Sequence, residues 1–223
     1  MKPAMLPLAL ALVVATPLPW EPQALAVAGT FPEPVQGVDL GLLRLINQAH
    51  SPGGDLTMRV LSNNVLLFGA PLAAGYATTR HWGTPFRVFE AQVVGGVLST
   101  GLKYAVDRPR PYLADPGVRM PLGTEVLASF PSGHATVSFA GATALAIAEP
   151  TWAVPAYAWA TLVSYSRVYA GVHYPTDVLS GALIGIGSAY LANWAFADLN
   201  ARLGATTPQP QPPVAAFSWS TGF

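Results

Sequence analysis

The chain contains no cysteine, which removes disulfides, thiolate metal sites and cysteine nucleophiles together and leaves the redox compartment undetermined. Charge is scarce as well. Asp, Glu, Lys and Arg make up 10% of the residues, where an ordinary soluble domain carries about a quarter. The 11 cations balance the 11 anions, so net charge gives no reason to expect nucleic-acid binding. No strand-like alternation of useful length occurs, and no linker-like stretch divides the middle of the chain. The 223 residues therefore read as one all-α domain. Apolar residues, glycine and proline are abundant, and the mean hydropathy is positive, a balance that suits a membrane-embedded helical bundle.

Met1-Lys2, an apolar run over 4–18 and the small residues Ala24-Leu25-Ala26-Val27-Ala28 form the pattern of a signal peptide. An uncleaved first transmembrane helix is the alternative, and it is the less favoured: Pro7, Pro17 and Pro19 interrupt the run, and about 20 residues are needed to span. Residues 1–28 are thus set apart as signal peptide or first helix, 29–203 as the main domain, and 204–223, with Pro and Gln alternating over 206–213, as a flexible tail. Helical spacing over 39–50 predicts an interfacial helix, with Leu40, Leu43 and Ile46 or Leu42, Leu45 and Ile46 on one face. Ser51-Pro52-Gly53-Gly54 breaks the chain, and Asp55 is the expected N-cap of the next helix. Apolar helices are predicted over 56–77, 88–105, 135–148, 152–169 and 178–197, giving a bundle of five to six apolar helices. Small residues line them, Gly181-x-x-x-Gly185 among them, which suits close packing in lipid. Arg80, His81 and Arg87 mark one loop as cytoplasmic. Counting helices onward from it puts the loops 103–119 and 166–177 together on the outer face.

Those two loops, with a third segment between them, carry the chemistry. Lys103 precedes Arg110-Pro111, and Pro109 and Pro111 make a bent loop that can fold Arg110 back toward Lys103. Arg grips phosphate oxygens with a planar fork, and Lys adds a compact charge. Alone, such cations would be read as snorkelling to the interface, which is the reading given to Arg108 and Arg119. Pro131-Ser132-Gly133-His134 opens an apolar helix, where outward N–H groups, the Ser132 hydroxyl and the close approach allowed by Gly133 favour an anion. Ser166-Arg167 ends the next helix, with His173 and Asp177 beyond it and Pro175 at the start of another. Asp177 lies within reach of the His173 ring and can fix its tautomer. Three cations, two imidazoles and a carboxylate can together bind a phosphoryl group and break its ester. A metal site of His134, His173 and Asp177 is the competing use of these side chains, but converging cations would repel the metal.

Lys103, Arg110, Pro111, Pro131, Ser132, Gly133, His134, Ser166, Arg167, His173 and Asp177, in this order and at these spacings, resemble the signature of the type 2 phosphatidic acid phosphatase superfamily. The resemblance implies that His173 is the nucleophile, passing through a phosphohistidine, and that His134 is the general acid. It further implies that Asp177 orients His173, and that Lys103, Arg110, Ser132, Gly133 and Arg167 bind phosphate. It implies a metal-independent phosphatase without cofactor, acting on a lipid phosphate or pyrophosphate from the bacterial inner membrane, with its active site facing the periplasm or outside. Three alternatives stand beside it: a secreted soluble acid phosphatase, a vanadium haloperoxidase, and a non-catalytic membrane protein that binds phosphorylated lipid.

Overall fold

The computed structural model of the chain describes residues 31–202. The expected signal segment and the expected tail lie outside them. The described residues form helices joined by loops, with no strand among them.

Helix α1 (Glu33–Asn47) starts earlier and stops sooner than the spacing predicts. Both of its expected faces have a use. Leu40, Leu43 and Ile46 pack with Val118, Val168 and Tyr174, whereas Leu42 and Leu45 remain exposed on the other side. Helix α2 (Pro52–Leu61) is capped by Ser51, whose hydroxyl accepts the Gly54 N–H at 3.1 Å. Asp55, the expected cap, sits instead in the first turn, 2.8 Å from His50 Nδ1 and 2.8 Å from the Tyr169 hydroxyl. The single helix expected over 56–77 is also corrected. Asn63 accepts the N–H groups of Val65 at 2.9 Å and Leu66 at 3.3 Å, which starts α3 (Asn64–Thr79) at an angle of 57° to α2. An Asn side chain satisfying free N–H groups ends one helix and begins another even inside an apolar run.

Helix α4 (Gly83–Val106) closes at Asp107, in the left-handed region at φ 47, and Pro109 prevents it from resuming. A single turn, α5 (Pro111–Ala114), comes next. Then come α6 (Gly133–Ala148), a 3₁₀ turn (Pro150–Trp152), α7 (Ala153–Tyr169), α8 (Pro175–Ala195) and α9 (Ala197–Arg202). Helix α6 is central and packs against α3, α4, α7 and α8 through a core rich in alanine, with Ala140, Ala142, Ala160, Ala189 and Ala192 all buried. The α6–α8 contact depends on glycine. A Cβ at Gly181 would stand 2.6 Å from the Ser132 carbonyl oxygen, and one at Gly185 would overlap the Thr136 carbonyl. Backbone therefore meets backbone at the Gly181-x-x-x-Gly185 face. This contact sets Ser132 against the start of α8, where its N–H donates to the Asp177 carbonyl at 3.0 Å.

The C-terminal ends of α4 and α7 thus meet the N-terminal ends of α6 and α8 at one end of the bundle. At the other end Trp152 donates to Thr78, Thr84 to Glu149, and Arg87 to Asn193. Among the described residues α8 is long and apolar enough to cross a membrane by itself, and α2 with α3 passes as one bent pair. Helix α6 is apolar but has 16 residues. Helices thus lie over each of the five expected ranges, and by length and composition one of them, or two with the bent pair, is long and apolar enough to cross a membrane.

Candidate active site

The bundle end that gathers these four termini also gathers the sequence-predicted residues. Lys103 lies in the last turn of α4 and Arg110 just beyond it, while Arg167 is in the last turn of α7. All three are buried. Lys103 Nζ donates to the Ala128 carbonyl at 2.6 Å, and Arg110 reaches the same oxygen at 3.4 Å, so the loop does fold Arg110 back toward Lys103. Arg110 also donates to Leu127 O at 2.7 Å and Val172 O at 2.8 Å. Burial lowers Arg110 to about 10, which leaves it fully cationic at neutral pH. Backbone carbonyls thus aim Lys103 and Arg110.

His173 is buried in the α7–α8 loop with its two nitrogens in different surroundings. Nε2 faces the cations and accepts an N–H from Arg110 at 3.3 Å. Nδ1 faces Asp177 Oδ2 at 3.5 Å and has no closer partner, longer than an ordinary hydrogen bond of about 2.9 Å. Burial, then the positive charges of Arg110, Lys103 and Arg167, hold His173 well below its usual 6.5, so its ring is neutral at pH 7. Asp177, at the third position of α8, accepts the backbone N–H of Tyr174 at 2.9 Å, the returning half of a capping box. Gly171, at φ 69, makes the turn that leads into His173.

Ser132 is the N-cap of α6, and its hydroxyl faces the Ala135 N–H at 3.5 Å, so its side chain serves the helix start. Gly133 lies beside Lys103. A Cβ there would meet Lys103 Cε at 4.0 Å and Ser99 Oγ at 3.6 Å, ordinary contacts, so no protein atom demands glycine at this position. His134 Nε2 lies 3.2 Å from the Ser62 carbonyl, which makes it the N–H donor and leaves Nδ1 as the other titrating nitrogen. His134, Arg167 and Glu125 line an open cleft of about 250 Å³, together with Arg59 and Asn64 from α2 and α3. Among the described residues no three His, Asp or Glu side chains converge as a metal ion requires.

Three participants are not visible in the sequence. Arg108, expected at the interface, is instead fully buried and bonded to Asp177 at 2.6 Å. Arg-Pro-Arg-Pro offers two arginines two residues apart, and nothing in the spacing says that the first turns inward. Ser62 supports His134 from the break between α2 and α3. Glu125 bridges the cradle itself: one oxygen is 2.8 Å from Arg110 Nη2 and 3.9 Å from His173 Nε2, and the other binds Arg167. A carboxylate gripped by two guanidiniums beside an imidazole occupies the place that phosphoryl oxygens would take. A phosphate ester bound by these two arginines would have to displace Glu125. Glu125→Gln is expected to lower KM for a phosphate ester and Ki for vanadate by about tenfold, or ~1.4 kcal/mol, with kcat little changed. Steady-state kinetics with vanadate inhibition checks this, and a raised KM would make Glu125 part of the substrate site.

A family model for the PAP2 superfamily matches residues 85–201, and the chain belongs to that superfamily. It is 39% identical over 103 residues to an undecaprenyl-diphosphatase of Sulfolobus acidocaldarius, covering 45% of this chain and 49% of the relative. The chain spans about half the length of the curated relatives it matches. The crystal structure of LpxE from Aquifex aeolicus superposes with a TM-score of 0.60 at 31% identity, covering 70% of this chain and 94% of that one. A transmembrane PAP2-type phosphatidylglycerolphosphate phosphatase from Bacillus subtilis shares the fold, with a TM-score of 0.59 at 24% identity and coverage of 75% and 89%. The all-helical fold is thus that of membrane PAP2 phosphatases. Asp39 on α1, Arg59 on α2 and Ser62 at the break after α2 all precede the matched segment.

Proposed function

We propose that this protein hydrolyses phosphate monoesters or diphosphates of membrane lipids through a phosphohistidine, without a metal ion. The observation that carries this reading is the orientation of His173, with Nε2 turned to Arg110 and the cradle and Nδ1 turned to Asp177. Nε2 attacks phosphorus as the bond to the leaving oxygen breaks, and His134 supplies a proton to that oxygen. Lys103, Arg110 and Arg167 hold the charge on the phosphoryl oxygens, and the start of α6, where Gly133 lies beside Lys103, adds the positive end of a helix dipole. Water, giving its proton to His134, then cleaves the N–P bond and releases inorganic phosphate. Arg59 lines the same cleft as His134, and a further cation there suits a second phosphate, which favours diphosphates.

A soluble phosphatase of the same family is disfavoured by the outward faces of the helices. Val97, Val154, Leu183 and Trp194 are each at least 66% exposed, and Trp194 stands near the end of α8, where indoles mark a membrane interface. Activity is expected to survive EDTA and to be abolished by vanadate, because fixed cations supply the stabilisation that Mg²⁺ gives in other phosphatases. The assay is phosphate release in detergent from undecaprenyl pyrophosphate, phosphatidylglycerol phosphate, phosphatidic acid and lipid A. Loss on chelation with recovery on adding a divalent cation contradicts the mechanism, and activity on soluble esters alone contradicts the lipid substrate.

The site is placed at the periplasmic or outer face of the inner membrane, because Arg80 and Arg87 lie at the opposite end of the bundle. The chain has no cysteine, so single cysteines report sidedness directly. Gly83 is buried, so the exposed His81 is the better position at that end and the exposed Ala114 at the other. An impermeant maleimide is expected to label Ala114→Cys and not His81→Cys in intact cells; the reverse pattern inverts the topology.

A further inference from the structure

Arg108 is 1% exposed and does not line the cleft, yet both terminal nitrogens of its guanidinium are engaged. Nη1 donates to Asp177 Oδ1 at 2.6 Å and Thr176 Oγ1 at 2.9 Å, and Nη2 donates to Asp39 Oδ2 and Gln36 Oε1, each at 2.8 Å. Its planar face lies 3.7 Å from the centre of the Tyr174 ring and 4.3 Å from that of Phe31. Asp39 is equally buried. Its Oδ1 accepts the N–H of Thr176 at 3.0 Å and its Oδ2 accepts the Thr176 hydroxyl, so a carboxylate from α1 caps the first turn of α8. The two oxygens of Asp177 are thereby divided, Oδ1 to Arg108 and Oδ2 to the side of His173.

Burying three charges this deeply costs more than an apolar cluster of the same volume would, so a gain in stability does not account for the arrangement. What it achieves is orientation. Asp177 can hold the Nδ1 proton of His173 only while it is ionised and its second oxygen is aimed at the ring. A buried carboxylate without a counter-charge takes up a proton. We infer that Arg108 and Asp39 are positioning residues that act through Asp177 to hold His173 with Nδ1 protonated and the Nε2 lone pair in the cradle. Asp39 lies on α1, outside the matched family segment, so part of the nucleophile's support comes from a helix that precedes that segment.

The inference rests on His173 being the nucleophile, and its test includes a readout that needs no turnover. Wild type, Arg108→Lys, Arg108→Met and Asp39→Asn are purified in detergent with ¹⁵N-labelled histidine. The chain has 4 histidines, and His173→Ala assigns the signal. Wild type is expected to show His173 as the Nδ1–H tautomer. Arg108→Met should give mixed tautomers and lower kcat about 100-fold, and Asp39→Asn about tenfold, the range found when a partner that orients a functional histidine is removed. Arg108→Lys should recover part of the loss, and KM and the Ki for vanadate should stay within about twofold throughout. If Arg108→Met does not fold, Asp39→Asn, which keeps shape and capping oxygen, carries the test. An unchanged tautomer in folded variants, whatever happens to activity, overturns the inference. So does a rise in KM and Ki at constant kcat, which would make Arg108 a substrate cation. No phosphatase activity in wild type, with tautomers shifting as expected, would instead fault the proposed reaction.

Discussion

His173→Ala is expected to reduce turnover at least about 10⁴-fold for every phosphate ester tested, the scale seen when a covalent nucleophile is removed. Its neighbours set the pH behaviour of the intact enzyme. The attacking form is the neutral ring, and burial together with Arg110, Lys103 and Arg167 holds His173 well below 6.5. The neutral form therefore predominates through the whole neutral range, and acidification removes it only well below pH 6.5. A kcat/KM profile should show no loss centred at 6.5 from this group. Vanadate should still bind the alanine variant, because the cations remain. A residual rate above a thousandth of wild type would pass the nucleophile's role to another side chain, the Ser132 hydroxyl at the start of α6 being one candidate.

His134→Ala is expected to divide substrates by their leaving groups. An alkyl or prenyl alkoxide needs a proton as it departs, so turnover should fall about 10²–10⁴-fold, the usual contribution of a general acid. A nitrophenolate departs without one, and its release should fall by less than about tenfold in the first step. The break between α2 and α3 enters here, since Ser62 holds the His134 ring by its backbone carbonyl. Equal losses in that first step, read as the pre-steady-state release of nitrophenol and of the alkyl alcohol, would show that His134 binds the substrate without protonating the leaving group.

The bundle and the contents of its cradle are legible in the sequence to different depths. Lys103, Arg110, Arg167, His134, His173 and Asp177 stand in local patterns, each fixed by a helix end that proline, serine or glycine marks, and the structure gathers them at one end of the bundle, where Arg167 and His134 line the cleft. What local pattern cannot convey is which chain segment approaches from a distance. Asp39 is 69 residues from Arg108, on a helix whose spacing speaks only of an apolar face, so neither residue advertises the other. Glu125 lies in a loop without periodicity, and one carboxylate there has no sequence signal to say that it spans two arginines. The break at Asn63 is hidden for another reason: apolar residues continue across it, and hydropathy outweighs a capping side chain that Ser62-Asn63-Asn64 does contain. Asp55 has the residue type of a cap, but Ser51, at the break itself, has the better position.

The central claim is that phosphorus passes through Nε2 of His173, and trapping the intermediate tests it most directly. His134→Ala should be mixed with ³²P-labelled nitrophenyl phosphate, quenched within milliseconds and digested. Without His134 to activate water, the phosphoenzyme should accumulate. The label is expected on the peptide containing His173, stable to alkali and lost in acid, as a phosphoramidate is, and absent when His173 is also alanine. Label that survives acid on the Ser132 peptide, or phosphate released in a burst with no labelled protein, would contradict the account.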